Sequence, residues 1–500
     1  MITHGMEGSD ARVWHLPRTA WLVFGILITV FVGNRYNVAP LGWVAAVPWL
    51  VYLRQRAGWR DRVLLLVALQ VAHFLALFKI VTEPLTVSFA VMFSIPVALS
   101  VFALYEVFES MRRRVGDGWG IVLFPALIVL NEWLGSYVSP MGSWGSLAYS
   151  QIDNLQFLQL ASVFGLTGVS ALLAASSAVA AVLMANEERR RFVPAVVAVT
   201  VLSVAAHGYG AVRIAGDIPG ELVAVAGVVS EALEFRTDDA PEQDALFAAS
   251  LAAVERGAEL VVWNEAATIV SGGAEAAFLE RGQQFAREHG VDLVMAFGVT
   301  QEDSNLFANQ YTWLTPQGAL ETYLKHHPVP GEPSIAGDAP LVVHDRPYGR
   351  AAGAICYDYD FPALGRTHGR LGAGLVVVPS SDWKGIDPYH TKMASVRGIE
   401  SGFSVVRPAR AAMSGAFDAF GRPRATMDYY EGDRMFIARV PTLRIETIYS
   451  RIGDVVPLLA LLTLVLTGAR LFSRRSVGWN PEQRLRGSPP STCLHSEGEA

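Results

Sequence analysis

Eight apolar stretches constrain what this 500-residue chain can fold into more than any other feature. A helix needs roughly 20 apolar residues to cross a bilayer. Candidate spans run over 19–33, 38–53, 63–80, 86–108, 119–138, 158–185 and 193–211, with an eighth at 452–472. The first two are short and the Asn34–Asn37 break between them is weak, but the charges favour reading them as two helices. Arg54, Arg56, Arg60 and Arg62 follow the second span, Arg112–Arg114 the fourth, Arg189–Arg191 the sixth, and Arg470, Arg474 and Arg475 the eighth. The connections near Glu83 and across 139–157 are poor in Lys and Arg. By the positive-inside rule the basic loops and both termini face the cytoplasm, and the block 217–447 faces outward. That parity requires two spans within 19–53.

Composition agrees. Hydrophobic residues make up 52% and charged residues 17%, against about 25% charged in ordinary soluble domains, and the mean hydropathy is +0.32. The expected layout is a membrane domain of about seven helices over 1–213, an α/β domain over 217–447, a closing helix over 452–472 and a disordered cytoplasmic tail over 476–500. The apolar N-terminal run leads into further spans, so no cleavable signal peptide is expected. The net charge of −6 with no basic stripe argues against a nucleic-acid partner. Cys356 and Cys493 lie in regions of different character, so no disulfide is expected. His326, His327, His344, His368 and His390 lack metal spacing and read as surface or loop residues. Gly208-Tyr209-Gly210 ends a span instead of following a soluble strand, so it is no dinucleotide site. Neither metal nor cofactor is expected. Glu132 ends the fifth span, where a carboxylate is either functional or hydrated at the interface, and the sequence leaves both readings open.

Within 217–447, short β-rich runs alternate with helical ones. Strands are expected at Leu222–Val229, Leu260–Trp263, Val291–Val299, Leu375–Val378 and Met435–Val440, and helices at Glu242–Arg256, Ala274–His289 and His390–Ser401. Hairpins are expected around 304–325 and 403–427. Such alternation implies a layered α/β domain. Three constellations stand at its element ends. Val261-Val262-Trp263-Asn264-Glu265 puts a carboxylate after an apolar strand. Tyr323-Leu324-Lys325 leads into Pro328-Val329-Pro330-Gly331-Glu332-Pro333, a stiff loop that keeps a lysine and a glutamate near each other. Ala354-Ile355-Cys356-Tyr357-Asp358 ends an apolar run on the block's only cysteine. Singly, each has an ordinary reading: a small core thiol, a hydrated strand-end carboxylate, a solvated lysine. Together they suit acyl transfer, with Cys356 as nucleophile, Glu265 taking its proton and Lys325 stabilising the oxyanion.

The order Glu, Lys, Cys with these flanks resembles the carbon–nitrogen hydrolase (nitrilase) superfamily, whose domain is an αββα sandwich. Glu132-Trp133, Trp144-Gly145-Ser146-Leu147-Ala148-Tyr149-Ser150-Gln151 and Leu158–Leu166 are similar to segments of the apolipoprotein N-acyltransferases. The resemblance covers nearly the whole chain. It implies a multi-pass protein of the bacterial inner membrane that moves a fatty acyl group from a phospholipid, through a Cys356 thioester, to the N-terminal amine of a diacylglyceryl-cysteine lipoprotein. It also implies supporting roles for Glu332 and Tyr357. Four motifs depart from the family pattern. Asn264 stands for the proline of Trp-Pro-Glu, the phenylalanine of Val-Pro-Phe-Gly-Glu is absent, Asp358 replaces a glutamate, and Ser380-Ser381-Asp382-Trp383-Lys384 replaces Ser-Asn-Asp-Ala-Trp-Phe. These changes ring the cleft, so a membrane-tethered amidase, or an acyltransferase with another acceptor, is the alternative. A domain that only binds lipid or a partner would not need all three reactive residues.

Overall fold

The structure is a computed structural model that describes residues 16–56, 58–186, 188–231, 236–301, 304–431 and 434–477. The tail expected to be disordered lies outside these residues from 478 onward, as does Cys493.

The membrane part consists of α1 (Arg18–Phe31), α2 (Val47–Gln55), α3 (Trp59–Phe78), α4 (Val87–Val115), α5 (Asp117–Val138), the short α6 (Leu155–Leu158), α7 (Ala161–Ala185) and α8 (Val193–Ala215). Among the described residues, six helices are long and apolar enough to cross a membrane: α3, α4, α5, α7, α8 with its preceding turn, and a closing helix over Val455–Ser473. The stretch expected to hold two spans does hold two helices, but short ones. α1 has 14 residues, and α2 has nine after a 3₁₀ turn at Ala39–Val44. At 1.5 Å per residue α1 reaches about 21 Å, less than the roughly 30 Å hydrocarbon core.

The expected span 158–185 is not one straight helix. Gly165, with φ 66° and ψ −177°, breaks the path of α7 near its start. Its Cα faces the Tyr449 ring, which a Cβ would approach to 2.6 Å, and the next amide, Leu166 N, donates to Glu400 Oε1 at 2.9 Å. Only glycine reaches that backbone region without large strain. Gly165→Ala should therefore cost about 2 kcal/mol or more of stability and lower the thermal unfolding midpoint of detergent-solubilised protein. An unchanged midpoint would refute this.

Two facing sheets and a small separate pair of parallel strands form the rest. Their strands are β1 (Leu222–Val228), β2 (Leu260–Trp263), β3 (Ile269–Ser271), β4 (Asp292–Thr300), β5 (Phe307–Thr315), β6 (Gly318–Leu324), β7 (His344–Arg346), β8 (Gly349–Gly353), β9 (Leu375–Val377), β10 (Ser380–Ser381), β11 (Ser404–Arg407), β12 (Ala409–Arg410), β13 (Ser414–Phe417), β14 (Pro423–Met427) and β15 (Met435–Pro441). One sheet runs β15-β1-β2-β4-β5-β6 with β3 on β4, and the other runs β14-β13-β11-β9-β8-β7. β1 pairs with β15 antiparallel from Leu222↔Pro441 to Val228↔Met435. The expected hairpins are present as β5–β6 and β13–β14.

Strand alternation sorts the side chains into layers. Val223, Val225 and Val262 of the first sheet meet Leu375, Val377 and Val406 of the second in the central core. Ala226, Val261 and Trp263 point the other way, onto α9 (Ala240–Glu255) and α10 (Glu275–His289). Behind the second sheet lie α11 (Pro362–Leu371) and α12 (Tyr389–Ser401). The result is the αββα sandwich.

α12 is shared between the two halves of the molecule. Tyr389, Met393, Val396 and Ile399 recur at helical spacing and pack with Tyr149, Phe157, Leu166, Val169 and Leu173 of the membrane part. Burying one such side chain contributes about 1.5–3 kcal/mol. Polar bonds add direction to the junction: Arg397 Nη2 donates to Tyr149 Oη at 2.7 Å, and Gln159 Nε2 to the Phe420 carbonyl at 2.8 Å. The chain then leaves the sandwich through α13 (Ile448–Ile452) and enters α14 (Val455–Val477), where Thr467 Oγ1 accepts from Trp119 Nε1 of α5.

Glu132, left open above, is half-buried and has protein partners. Its carboxylate accepts from Ser146 Oγ, Ser170 Oγ and the Leu147 amide at 2.7–2.8 Å. It thereby pins the Trp144–Gln151 segment to α5 and α7.

Candidate active site

The three expected residues come from three element ends that converge at one edge of the sandwich. Glu265 follows β2, Lys325 follows β6, and Cys356 opens a 3₁₀ turn (Cys356–Asp360) after β8. All are buried, at 4%, 1% and 3% exposure. Lys325 Nζ donates to Glu265 Oε1 at 2.7 Å and to Glu332 Oε2 at 2.6 Å. Asn309, on β5, bridges the same two carboxylates from Nδ2, at 2.8 Å to each. The Ser381 amide donates to Glu265 Oε2 at 2.9 Å, and Glu332 also accepts from Ser334 Oγ and the Val329 amide. The loop that lacks the family's phenylalanine still folds Glu332 back onto Lys325.

These contacts set the charges. Burial alone would strip Lys325 of its proton, but the neighbouring Glu265, Cys356 and Glu332 push its pKa well above the usual lysine value. Burial opposes the Glu332 carboxylate too, yet Lys325 and its hydrogen bonds hold its pKa below the ordinary value. The thiol behaves in the opposite way. Burial, then Glu265 and Asp382, push the Cys356 pKa well above the ordinary cysteine value despite Arg407 and Lys325. The resting site thus holds the Lys325 ammonium beside a thiol that resists ionisation.

The nucleophile's backbone is strained. Cys356 has φ 44°, in the left-handed region that costs a non-glycine residue about 1–3 kcal/mol. Its amide bonds the Pro379 carbonyl at 2.9 Å. Asp358, the replacement for the family's glutamate, fixes the turn. Its Oδ2 accepts from the Ile355 amide and Tyr323 Oη, and its Oδ1 accepts from the His327 amide. Tyr357 does not join the Glu265–Lys325 cluster. Its hydroxyl donates to the Pro140 carbonyl of the membrane part at 2.9 Å.

Two of the five histidines overturn the surface-or-loop expectation. His368 and His390 are 0% and 3% exposed, and both lie on helices. His368 Nδ1 meets Tyr359 Oη at 2.9 Å, and burial pushes its pKa down to about 4. His390 stands between Asp382, 2.8 Å from Nδ1, and Asp360, 3.0 Å from Nε2. Metal spacing was the wrong test, because a buried histidine is equally satisfied by two carboxylates. Burial disfavours the imidazolium, but Asp360 and Asp382 win and push the pKa up to about 9. A folded-state value above about 6.5 for the free side chain stabilises the fold fully below that pH, and the gain is lost as pH rises through about 9. The unfolding midpoint should therefore fall between about pH 6.5 and 9, and H390Q should flatten that slope. An equal slope in H390Q would count against this.

The cleft over Cys356 joins both halves of the chain. It is lined by Ile80, Phe89, Met141 and Trp144 from the membrane part and by Val329, Pro330 and Trp383 from the sandwich. Trp383 Nε1 donates to the Ile80 carbonyl and Trp144 Nε1 to Asp360 Oδ2, each at 2.7 Å. Of the groups around the cysteine, Asn309, Asp358, Asp382, His390 and Arg407 escaped sequence reasoning. Only Asp358 and Asp382, each inside an altered motif, carried a local signal.

Comparison with known proteins matches both halves. Residues 24–179 fit the family described as the apolipoprotein N-acyltransferase N-terminal domain, and residues 222–438 fit carbon-nitrogen hydrolase. The apolipoprotein N-acyltransferase of Geobacter metallireducens is 24% identical over 510 residues, covering 92% of this chain and 97% of that protein. The apolipoprotein N-acyltransferase of Methylococcus capsulatus is 27% identical over 345 residues, covering 63% of this chain and 67% of its own. Among solved structures, an amidase from Nesterenkonia sp. aligns at 20% identity with a TM-score of 0.40, over 48% of this chain and 95% of its own. With its membrane half and its sandwich both matched, the chain belongs to the apolipoprotein N-acyltransferase family, within the carbon–nitrogen hydrolase (nitrilase) superfamily.

Proposed function

We propose that Cys356 carries the acyl group of this acyltransferase as a thioester, taking it from a phospholipid and giving it to the N-terminal amine of a diacylglyceryl-cysteine lipoprotein. One observation carries the reading: the buried cysteine opens onto a cleft whose other wall is made of membrane-part residues Ile80, Phe89, Met141 and Trp144. A lipid ester confined to the bilayer surface reaches such a thiol without leaving the membrane, which would cost about 0.8 kcal/mol per methylene exposed. The sandwich, roughly 217–447, then stands on the outer face of a bacterial cytoplasmic membrane between the helices of 1–213 and 452–472. The Arg-rich loops face inward.

In the first step Glu265 takes the Sγ proton as sulfur attacks the ester carbonyl. Lys325 already spends two N–H groups on Glu265 and Glu332, and its third serves the oxyanion. The carbon–oxygen bond to the glycerol breaks, and Glu265 returns the proton to the departing lysophospholipid. In the second step the lipoprotein amine attacks the thioester, Glu265 receives the amine proton, and as the carbon–sulfur bond breaks Glu265 passes that proton to sulfur, which restores the thiol and yields the amide. Asn309 and Glu332 hold Lys325 and Glu265 in register through both steps. Tyr357, tied to Pro140, fixes the nucleophile turn against the membrane part.

Incubation with acyl-labelled phosphatidylethanolamine should leave a hydroxylamine-labile acyl group on the protein, and Cys356→Ala should leave none. The label should pass to a diacylglyceryl-cysteine peptide added afterwards, as ping-pong kinetics require. A wild-type protein that never acquires label from any phospholipid sinks the reading. Release of ammonia from simple amides would favour the amidase alternative instead.

A further inference from the structure

The sulfur of Cys356 has two polar sides. Glu265, Lys325 and Glu332 form one of them, and there the two carboxylates outnumber the single ammonium, so that side opposes a negative charge on sulfur. The polar contacts of Sγ among the described residues lie on the other side: Asp382 Oδ1 at 3.8 Å, the Ser381 carbonyl at 3.9 Å and Arg407 Nη2 at 3.8 Å. Arg407, the last residue of β11, is fully buried. It grips Asp382 with both arms, Nη1 to Oδ2 at 3.0 Å and Nη2 to Oδ1 at 2.9 Å, and Nη1 also donates to Thr391 Oγ1. His390 completes the frame, bonded to Asp382 and Asp360.

From this geometry we infer that Arg407 is a further catalytic residue, whose guanidinium holds the Cys356 sulfur as an anion when it attacks the donor ester and again when it leaves the thioester. The inference rests on Cys356 being the nucleophile. Arg407 Nη2 meets Asp382 Oδ1 and His390 Nδ1, each at 2.9 Å, and also lies 3.8 Å from Sγ, so this arm presents its charge to the sulfur as well as to Asp382. Arginine suits the task because its planar fork stays charged while serving a carboxylate and a second acceptor together. During attack Glu265 becomes neutral, Lys325 turns to the oxyanion, and Arg407 is the cation in polar contact with the sulfur, with His390 held between Asp382 and Asp360 beside it. The charged groups around Sγ are then accounted for from every side: Glu265 after β2, Lys325 and Glu332 around the loop after β6, Asp382 after β10, His390 on α12 and Arg407 on β11.

The test uses the full-length protein in detergent, in a Cys493→Ser background. The pH dependence of Cys356 alkylation by iodoacetamide is read by mass spectrometry, alongside thioester formation from labelled phosphatidylethanolamine. R407Q should raise the alkylation midpoint by about one pH unit or more and slow thioester formation about tenfold. D382N, which removes the anion beside sulfur and leaves the cation, should lower the midpoint. A generally loosened site would move both midpoints the same way, so shifts of like sign overturn the inference, as does an unmoved midpoint in R407Q. If R407Q cannot be recovered folded, D382N decides alone, since an unchanged or raised midpoint overturns the inference. Absence of any thioester in the parent protein would instead remove Cys356 as nucleophile, while the alkylation midpoints still report on Arg407.

Discussion

Lys325→Met should abolish acyl transfer and destabilise the protein at the same time, and the two losses should be separable. Lys325 is 1% exposed and lies between Glu265 and Glu332 at 2.7 and 2.6 Å. Removing the ammonium leaves a buried carboxylate and a half-buried one facing each other. Breaking a buried ion pair from one side costs about 3–5 kcal/mol, and losing an oxyanion donor costs about 10²–10³ in rate. The double variant Lys325→Met/Glu332→Gln takes out one charge of each sign and should regain much of the unfolding midpoint, with no return of transfer activity. Recovery of activity in the double variant would show that Lys325 only neutralises its neighbours.

Glu265→Gln should produce a pair of effects that pull apart. The amide keeps the shape of the side chain near Asn309 and Ser381, so the fold should survive. Loss of the proton acceptor should lower the rate of thioester formation about 10²–10⁴-fold. Yet Glu265 is one of the groups that push the Cys356 pKa up, so its removal should shift iodoacetamide alkylation to lower pH. A thiol that ionises more readily while the enzyme slows would separate the base from the electrostatics of the nucleophile. If alkylation and transfer declined together, Glu265 would be acting only on the fold.

The expected strands were readable because each is a short apolar run ending on a residue that breaks the pattern: Val261–Trp263 on Asn264-Glu265, and the run before Cys356 on Tyr357-Asp358. A strand end in a layered domain is where buried backbone meets a cleft, so order and position were enough to bring Glu265, Lys325 and Cys356 together. What escaped were residues whose meaning comes from partners far away in sequence. Arg407 and His390 sit in a strand and a helix with no local anomaly, and their roles exist only because β11 and α12 place them against Asp382 and Asp360. Asn309 reads as one polar residue in an ordinary hairpin strand until Glu265 and Glu332 arrive from either side. The break at Gly165 was hidden for the same reason. An apolar run containing glycine looks like any other span, and its cause, Tyr449, is supplied by the other end of the chain.

The pairing of β1 with β15 bears on how a chain of this design is assembled. The first and last strands of the sandwich lie side by side, Leu222 opposite Pro441, and directly opposed residues in such a ladder are about 4.5–5.5 Å apart. The chain leaves α8 at Ala215 just before one of these strands and heads for α14 just after the other. To the helices in the bilayer, some two hundred residues of enzyme therefore amount to a hairpin. The excursion begins and ends at nearly one point, so the sandwich could grow, shrink or be exchanged for another without changing how α14 packs onto α5.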